Sequence, residues 1–254
     1  MTINSSVGMV NLSTDAIRLE KLYISGYELK SELGMPVDMQ GACRHAMSIG
    51  NREIKIEGYI SEGLEENRRL ITKICTSSEP FLLIDDGYCL ESIAKKGPEF
   101  SYERRFRDKL LKFTIYAESI RPFWHSLIRT GVEFVSIGGT SSLSISVSSD
   151  TPVGFEAQLL MMTSAESMRF AKGEKYLEIQ YPFSIGDTVF IDTRHGKKGV
   201  WIQKKGASTR ESIIDSVSIG SSFFELDVGD NQISYSILTG ALRAVFYYTP
   251  VYMR

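Results

Sequence analysis

The chain has 254 residues, 43% hydrophobic and 24% charged, proportions typical of a soluble globular protein of one large or two modest domains. Its 29 basic and 31 acidic residues nearly cancel, which argues against a surface for nucleic acid or an anionic membrane. The first 20 residues lack a basic head followed by an apolar core, so no signal peptide is predicted, and no apolar run approaches the roughly 20 residues of a membrane span. The three cysteines show no CxxC spacing, which favours a reducing place of synthesis over a disulfide framework or a zinc site: Cys43, Cys75 and Cys89.

The first predicted elements are strands with one buried face. The segment "REIKIEGYI" (52–60) places Ile54, Ile56 and Ile60 on one face and charged residues on the other. The segment "LKFTIYA" (111–117) alternates in the same way. Because side chains alternate across a strand, this period of two predicts half-buried strands.

A helix and a hairpin are predicted between these two strands. Within residues 65–78, apolar side chains recur at helical spacing and predict a helix of about three turns: Leu70, Ile71, Ile74 and Cys75. Residues 81–93 then predict a β-hairpin, because Asp86-Gly87 supplies the positive φ angles of a tight turn. Residues 1–134 are therefore predicted to form an α+β domain with β-sandwich-like sheets, one helix and a hairpin.

From about residue 135 onward every segment predicts a strand. The segments are short and rich in β-branched and aromatic residues, and turn residues separate them every 8 to 12 residues or so, the spacing of a sandwich or jelly roll. In "SLSISVS" (142–148), Leu143, Ile145 and Val147 alternate with serines. The Gly/Ser-rich stretch 136–142 is interpreted as a linker, so residues 135–254 form the second domain of a mainly-β protein.

No motif in the chain indicates an enzyme, a cofactor or a metal site. There is no nucleophile elbow, P-loop or dinucleotide fingerprint, and His45, His125 and His195 are far apart. The basic run 104–109 is interpreted as a solvated hairpin end. Paired carboxylates are not recognisable at this level, so a β-sandwich hydrolase remains a third class of function. The aspartates that could serve one all stand where turns favour Asp: Asp85, Asp86, Asp187, Asp192, Asp227 and Asp230.

One polar stretch, "DTRHGKKGVW" (192–201), supplies the weak candidates for binding a ligand or partner: Arg194, His195 and Trp201. The stretch predicts a hairpin whose polar tip is hydrated. Trp201 stands on the sheet face opposite Val200 and Ile202. An exposed tryptophan could stack on a sugar, but a tryptophan in a sandwich core is the commoner case, so we expect Trp201 in the core and no assembled site.

The sequence resembles the distal tail proteins of long-tailed (siphovirus-type) bacteriophages over nearly the whole chain. In the second domain the resemblance lies in "IGDTVFIDTRHGKKGVWIQKKG", in "LRAVFYYTPVYM" and in a motif made of Phe223, Phe224, Leu226, Gly229, Asn231 and Ile233. In the first domain it lies in the order of elements and in the closing pair Phe123-Trp124. These motifs are turns and core positions, and the first 25 residues fit the pattern least well.

The resemblance implies a structural virion protein and not an enzyme. Such proteins form a homo-hexameric ring at the distal end of the tail tube and join the tube protein to the tail-tip hub. The first domain makes the ring, while the second, a galectin-like sandwich, carries baseplate or receptor-binding proteins. The implied location is the tail tip of a virion assembled from protein made in the host cytoplasm, with no cofactor, nucleic acid or membrane as partner.

The alternative function is a carbohydrate-binding module that recognises host-surface glycans. Galectin-type sugar sites place a His, an Asn and an Arg on adjacent strands, with a Trp beneath the sugar. This sequence offers Arg194, His195 and Trp201 within one hairpin and lacks the H-x-N-x-R order. Fold alone does not confer sugar binding, so the two functions must be separated by experiment.

Overall fold

A computed structural model describes residues 1–34, 43–102 and 110–254 of the chain, and the basic run 104–109 lies outside these residues. The described residues form two compact units, Met1–Trp124 with Arg254 and His125–Met253. Each is built mainly from antiparallel strands, and the described residues contain one α-helix. The prediction of a mainly-β protein is confirmed.

The N-terminal unit is organised around one antiparallel sheet. Its strands are β1 (Thr2–Ser5), β2 (Gly8–Asn11), β3 (Ile17–Ile24), β4 (Leu29–Gly34), β5 (Cys43–Ile49), β6 (Glu53–Ile60), β7 (Phe81–Asp85), β8 (Tyr88–Ala94), β9 (Glu99–Tyr102) and β10 (Leu111–Ser119). The main sheet has the order β2-β1-β7-β8-β10-β6-β3, with β9 added to β10. Strands β4 and β5 form a separate pair.

The alternating segments form the centre of this sheet. Strands β6 and β10 pair along their length, from Leu111 opposite Ile60 to Glu118 opposite Glu53. The apolar residues of both strands are buried, as the period of two predicts. The hairpin of β7 and β8 is also confirmed, and Asp86 (φ 47°) and Gly87 (φ 81°) form its turn.

The predicted helix α1 (Leu64–Thr76) packs against β2, β6 and β8. It buries Ile71, Ile74 and Cys75, whereas Leu70 is half-buried at the margin. Burial raises the pKa of the Cys75 thiol to about 12, because an apolar environment disfavours the thiolate. Cys75 therefore serves as a small core residue.

The two ends of the main sheet meet at the hairpin between β2 and β3. Leu19 N donates to Leu12 O over 2.8 Å, and Ser13 and Arg18 form an isolated antiparallel β-bridge. Beyond this point no strand among the described residues pairs with the outer edge of β3. Tyr23 lies on this open stretch of β3 and is 61% exposed. An open strand edge carries backbone groups that can pair with another chain.

The C-terminal unit contains the remaining strands. They are β11 (Trp124–Ser126), which begins at the last residue of the N-terminal unit, β12 (Thr130–Val147), β13 (Phe155–Met161), β14 (Ala165–Lys172), β15 (Lys175–Phe183), β16 (Thr188–Asp192), β17 (Gly199–Gln203), β18 (Glu211–Ser212), β19 (Gly229–Tyr248) and β20 (Val251–Tyr252). A 3₁₀ helix at Ile214–Ser216 follows β18. The sheet order is β15-β14-β19-β13-β16-β17-β18, and β12 pairs with β19.

Strands β12 and β19 are long enough to belong to both leaves of a sandwich. The first half of β19 pairs with β14, its second half pairs with β13, and β12 follows it throughout. The register of the long pair shifts between Ile137 and Gly139, and Gly240 has a φ of 135°. Strands that change sheets do so through such bulges and bends.

The interpretation of residues 136–142 as a linker is wrong. These residues lie within β12, and their backbone pairs with β19 on both sides of the register shift. Glycine and serine suit a bend between two leaves as well as they suit a linker, because they impose little steric restriction on the backbone.

Both leaves contribute side chains to one core. Phe170 of β14 packs against Phe246 in the second half of β19, with ring centroids 6.1 Å apart. Leu143, Ile145 and Val147 are buried here, as their alternation with serine predicts. The predicted galectin-like or jelly-roll sandwich is thus confirmed as a two-leaved β-sandwich.

Candidate functional site

The predicted hairpin 192–201 is formed by β16 and β17. At its tip His195, Lys197 and Lys198 are exposed. Thr193 fixes the base of the loop, because its Oγ1 donates to Phe155 O and accepts from Phe155 N over 2.8 Å. The tip is exposed, and His195 does not line the neighbouring pocket.

The expectation that Trp201 belongs to the core is wrong. Val200 and Ile202 fill the inner face of β17, and Trp201 is half-buried on the outer face. Its benzo ring occupies the space above Gly199, where a Cβ would lie 2.4 Å from the ring. The period of two correctly placed Trp201 on the face of β17 opposite Val200 and Ile202. Whether that face points into the core or outward depends on which strands neighbour β17, and the period does not show this.

Trp201 and Arg194 line one pocket of about 720 Å³ on this outer face. The pocket spans β13, β16, β17 and the end of β19. Its prominent side chains are three arginines and three aromatic rings: Arg129, Arg194, Arg210, Phe190, Trp201 and Tyr247. We call it the outer-face pocket.

An ion-pair network fixes one side of the outer-face pocket. Glu156 contacts both Arg129 and Arg194. Asp192 also binds Arg194 in a bidentate manner, with Nε–Oδ1 of 3.0 Å and Nη2–Oδ2 of 2.6 Å. The hydrogen bonds that Arg194 donates to Asp192 raise the pKa of Arg194. Two arginines and two carboxylates thus satisfy one another.

Two of the three rings are covered by cations. The guanidinium of Arg210 lies 3.5 Å from the ring centroid of Phe190, and that of Arg129 lies 4.9 Å from the centroid of Tyr247. Within the part of the chain that the structure describes, Arg210 has no carboxylate within 4.0 Å. Among those same residues, Trp201 has neither a ring partner nor a cation over its face.

Asp187 is a structural residue at the turn before β16. It is 2% exposed and accepts hydrogen bonds from Ser184 N at 3.0 Å, Lys204 Nζ at 3.0 Å and Lys205 N at 3.2 Å. Burial alone would raise the pKa of Asp187, but these bonds outweigh burial and hold the pKa below its usual value. The Gly186-Asp187 pair of the segment "IGDTVFID" therefore stabilises a turn.

Asn231 has the same role at the start of β19. It is 3% exposed, accepts from Asp227 N at 2.7 Å, and donates to Asp227 O at 2.8 Å and Gly229 O at 3.0 Å. Gly229 adopts a φ of 85°, which favours glycine. The apolar members of the motif support this role, since Phe224, Leu226 and Ile233 are buried and Phe223 packs beside them.

The other sequence candidates do not converge. Asp85, Asp86, Asp227 and Asp230 lie at strand ends or turns. His125 lies on β11, and His45 lies on β5. Among the residues whose side chains the structure describes, no group of three or more His, Cys, Asp or Glu could hold a metal ion. In the same residues no helix is long and apolar enough to cross a membrane.

One family model matches the C-terminal part of the chain. Residues 148–252 match the family described as siphovirus-type tail component, C-terminal domain. This match covers most of the C-terminal unit, and with it the resemblance inferred from the sequence is confirmed. A comparison with curated protein sequences gives no match.

Among solved structures, the chain is similar to the Dit protein of phage SPP1, described as a paradigm of the hub adsorption apparatus in phages that infect Gram-positive bacteria. The TM-score is 0.67 at 12% identity, and the match covers 92% of each chain. The chain is also similar to a component of the phage P2 baseplate in its activated conformation with Ca, with a TM-score of 0.54 at 11% identity over 98% and 97% of the two chains. The corresponding structure with Sr gives 0.52 at 10% identity over 98% and 96%. At these identities the likeness establishes the fold.

Proposed function

We propose that this protein is a structural component of a phage tail tip. In this proposal six copies form a ring at the distal end of the tail tube and join the tube protein to the tail-tip hub. The C-terminal unit is the platform on which baseplate or receptor-binding proteins dock. The observation that carries the proposal is the match to SPP1 Dit over 92% of both chains, together with the family match of the C-terminal unit.

The open edge of β3 supports ring formation. A ring closes through a heterologous interface, in which two different surfaces of one subunit meet. Strand addition to an open edge supplies one such surface. Along Glu20–Ile24 this edge is unpaired among the described strands, and Tyr23 of the same stretch is exposed on the sheet face beside Lys55.

The sequence alone suggests β6, β10 or the hairpin 81–93 as interface elements, and this remains a prediction. Strands β6 and β10 each have neighbours on both sides in the main sheet, so neither offers a free edge. They can contribute side chains of their outer faces, whereas an open edge such as that of β3 is needed for backbone pairing. Interfaces that persist in a virion bury more than about 1,200 Å² in total.

Mass measurement tests the ring. Native mass spectrometry of the purified chain, alone and with its tube and hub proteins, should give a species of about six times the 28.5 kDa subunit. Tyr23→Lys places a charge on the open edge and should reduce the species to monomers. Ile219→Lys is the matched control, because Ile219 is 102% exposed in the C-terminal unit.

The proposal fails if the wild-type chain stays monomeric in the presence of the tube and hub proteins. The role of β3 fails separately, if Tyr23→Lys assembles like the wild type. Circular dichroism of both variants shows whether the monomers remain folded, so that lost assembly is not confused with lost structure.

Carbohydrate binding is a second candidate function for the C-terminal unit, and one observation favours it. Trp201 lies on an outer face beside an open pocket and not in the core. An aromatic ring in that position can stack on the apolar face of a sugar. Calorimetric titration of the full chain with oligosaccharides tests this function independently of ring assembly.

A further inference from the structure

The outer-face pocket holds one aromatic face that is free to stack. Arg210 covers Phe190, and Arg129 covers Tyr247. In the described part of the chain, nothing comparable covers Trp201, whose ring lies over Gly199. Burial of a flat apolar ligand against this indole would remove apolar surface of both partners from water.

The pocket also has one positive charge that its own residues do not neutralise. Glu156 and Asp192 are occupied by Arg129 and Arg194. Arg210 stacks on Phe190 but pairs with no carboxylate among residues whose side chains are described. A guanidinium presents a planar fork of donors that matches a carboxylate, so the unfilled capacity of the pocket is for a carboxylate ligand.

A hydrogen-bonding side chain, that of Gln158, lies on the same face of the sheet as Trp201. Gln158 is the cross-strand neighbour of Phe190, and Phe190 is the neighbour of Trp201. The exposed amide of Gln158 carries both donors and an acceptor, the combination that a hydroxyl-rich ligand requires. A stacking ring, an amide and an unpaired guanidinium therefore follow one another on one face.

We propose that the outer-face pocket binds a saccharide that carries a carboxylate, as a uronic acid does. The pyranose ring stacks on Trp201, the carboxylate pairs with Arg210, and Gln158 contacts hydroxyl groups. This inference rests on the second candidate function, carbohydrate binding, and is independent of ring assembly. It adds the ligand class and the residues that select it.

A matched pair of probes tests the proposal. The full chain is titrated with a glucuronic-acid-containing oligosaccharide and with its carboxyl-reduced counterpart, by calorimetry and by tryptophan fluorescence. The chain has two tryptophans, and Trp124 is 5% exposed in the N-terminal unit, so a change in fluorescence on binding reports Trp201. We expect the acidic saccharide to bind about tenfold more tightly, the effect of one charge-assisted contact.

Variants separate the two parts of the site. Trp201→Ala should lower the affinity for both saccharides by about tenfold or more. Gly199→Ala should do the same without removing the ring, because its Cβ needs the space of the indole. Arg210→Gln should abolish the preference for the acidic saccharide. Arg169→Gln is the matched control, since Arg169 is also exposed and stacked on a ring, Tyr176 at 4.0 Å, outside the pocket.

Each outcome decides the question. Binding that depends on Trp201, with an acid preference that depends on Arg210 and not on Arg169, supports the proposal. Equal binding of the two saccharides overturns the proposed selectivity but leaves carbohydrate binding standing. Binding of neither overturns both. Binding of a polyglutamate peptide with the same residue dependence, in place of the saccharide, overturns the proposal in favour of protein docking. Melting curves of all variants confirm that they are folded.

Discussion

Replacement of Asn231 by Ala removes the side chain that holds the turn before β19. In the folded protein, the Asn231 side chain satisfies the N–H and C=O of Asp227 and the C=O of Gly229. Its Oδ1 also accepts from Lys172 Nζ at 3.2 Å. Alanine supplies none of these partners, and the buried site leaves little room for water to replace them.

The magnitude follows from the three shortest contacts, which span 2.7 to 3.0 Å. Each hydrogen bond contributes about 1 kcal/mol net, so we expect Asn231→Ala to lower the free energy of unfolding by about 3 kcal/mol. In a domain of this size, 1 kcal/mol corresponds to about 4 °C in Tm, so Tm should fall by roughly 10 °C.

The assay is urea unfolding of the full chain in a Trp124→Phe background, followed by the fluorescence of Trp201, which lies in the same unit as Asn231. Ser234→Ala is the control on the same strand. Ser234 is exposed and makes one hydrogen bond of 3.3 Å, to Ala171 O, so its removal should change the free energy of unfolding by less than about 0.5 kcal/mol. If the free energy of unfolding of Asn231→Ala lies within about 1 kcal/mol of the wild-type value, the hydrogen bonds of the Asn231 side chain are not what stabilises this strand.

Three further results are expected from the hairpin region. Changing His195, Lys197 and Lys198 together to Ala should alter the free energy of unfolding by less than about 0.5 kcal/mol, because all three are exposed; a larger loss in urea unfolding would contradict the hydrated tip. Trp201→Ala should cost less than the roughly 3 to 5 kcal/mol of truncating a buried tryptophan, and a full cost in urea unfolding followed by circular dichroism would return Trp201 to the core. The folded pKa of Asp187 is lowered, so its stabilisation is present above the unfolded pKa of about 3.9 and is lost as pH falls through the folded value. The free energy of unfolding should therefore change less between pH 7 and pH 3 in Asp187→Asn than in the wild type. If the two proteins show the same change, ionised Asp187 does not stabilise the turn.

Local periodicity predicted the elements whose two faces differ in polarity. Strands β6 and β10 have apolar side chains at every second residue, and these are the buried ones. The turn at Asp86-Gly87 was predictable for a similarly local reason, since few residues other than Gly, Asn and Asp adopt positive φ. In such segments the sequence within about ten residues determines the structure.

The outer-face pocket could not be predicted in this way. Trp201 and Tyr247 belong to strands that do not pair with one another, and Arg129 precedes β12. Their proximity depends on the order in which β13, β16 and β17 follow β19, which no spacing in the sequence records. Arg194 and Trp201 could be proposed together only because one hairpin carries both. The error over residues 136–142 has a similar origin, because β19, more than 90 residues away, supplies their partners.

The position of β19 has a consequence for the order of folding. This strand pairs with β12, β13 and β14, all of which precede it by more than 50 residues. Until β19 leaves the ribosome, those three strands can pair only within partial sheets such as β14–β15 and β13–β16–β17, and apolar residues such as Phe155 and Phe170 lack the core that β19 completes. Closing such long loops is slow because the entropy is lost before the contacts form. We therefore expect the C-terminal unit to fold late and in one step, while most of the N-terminal unit is already in place.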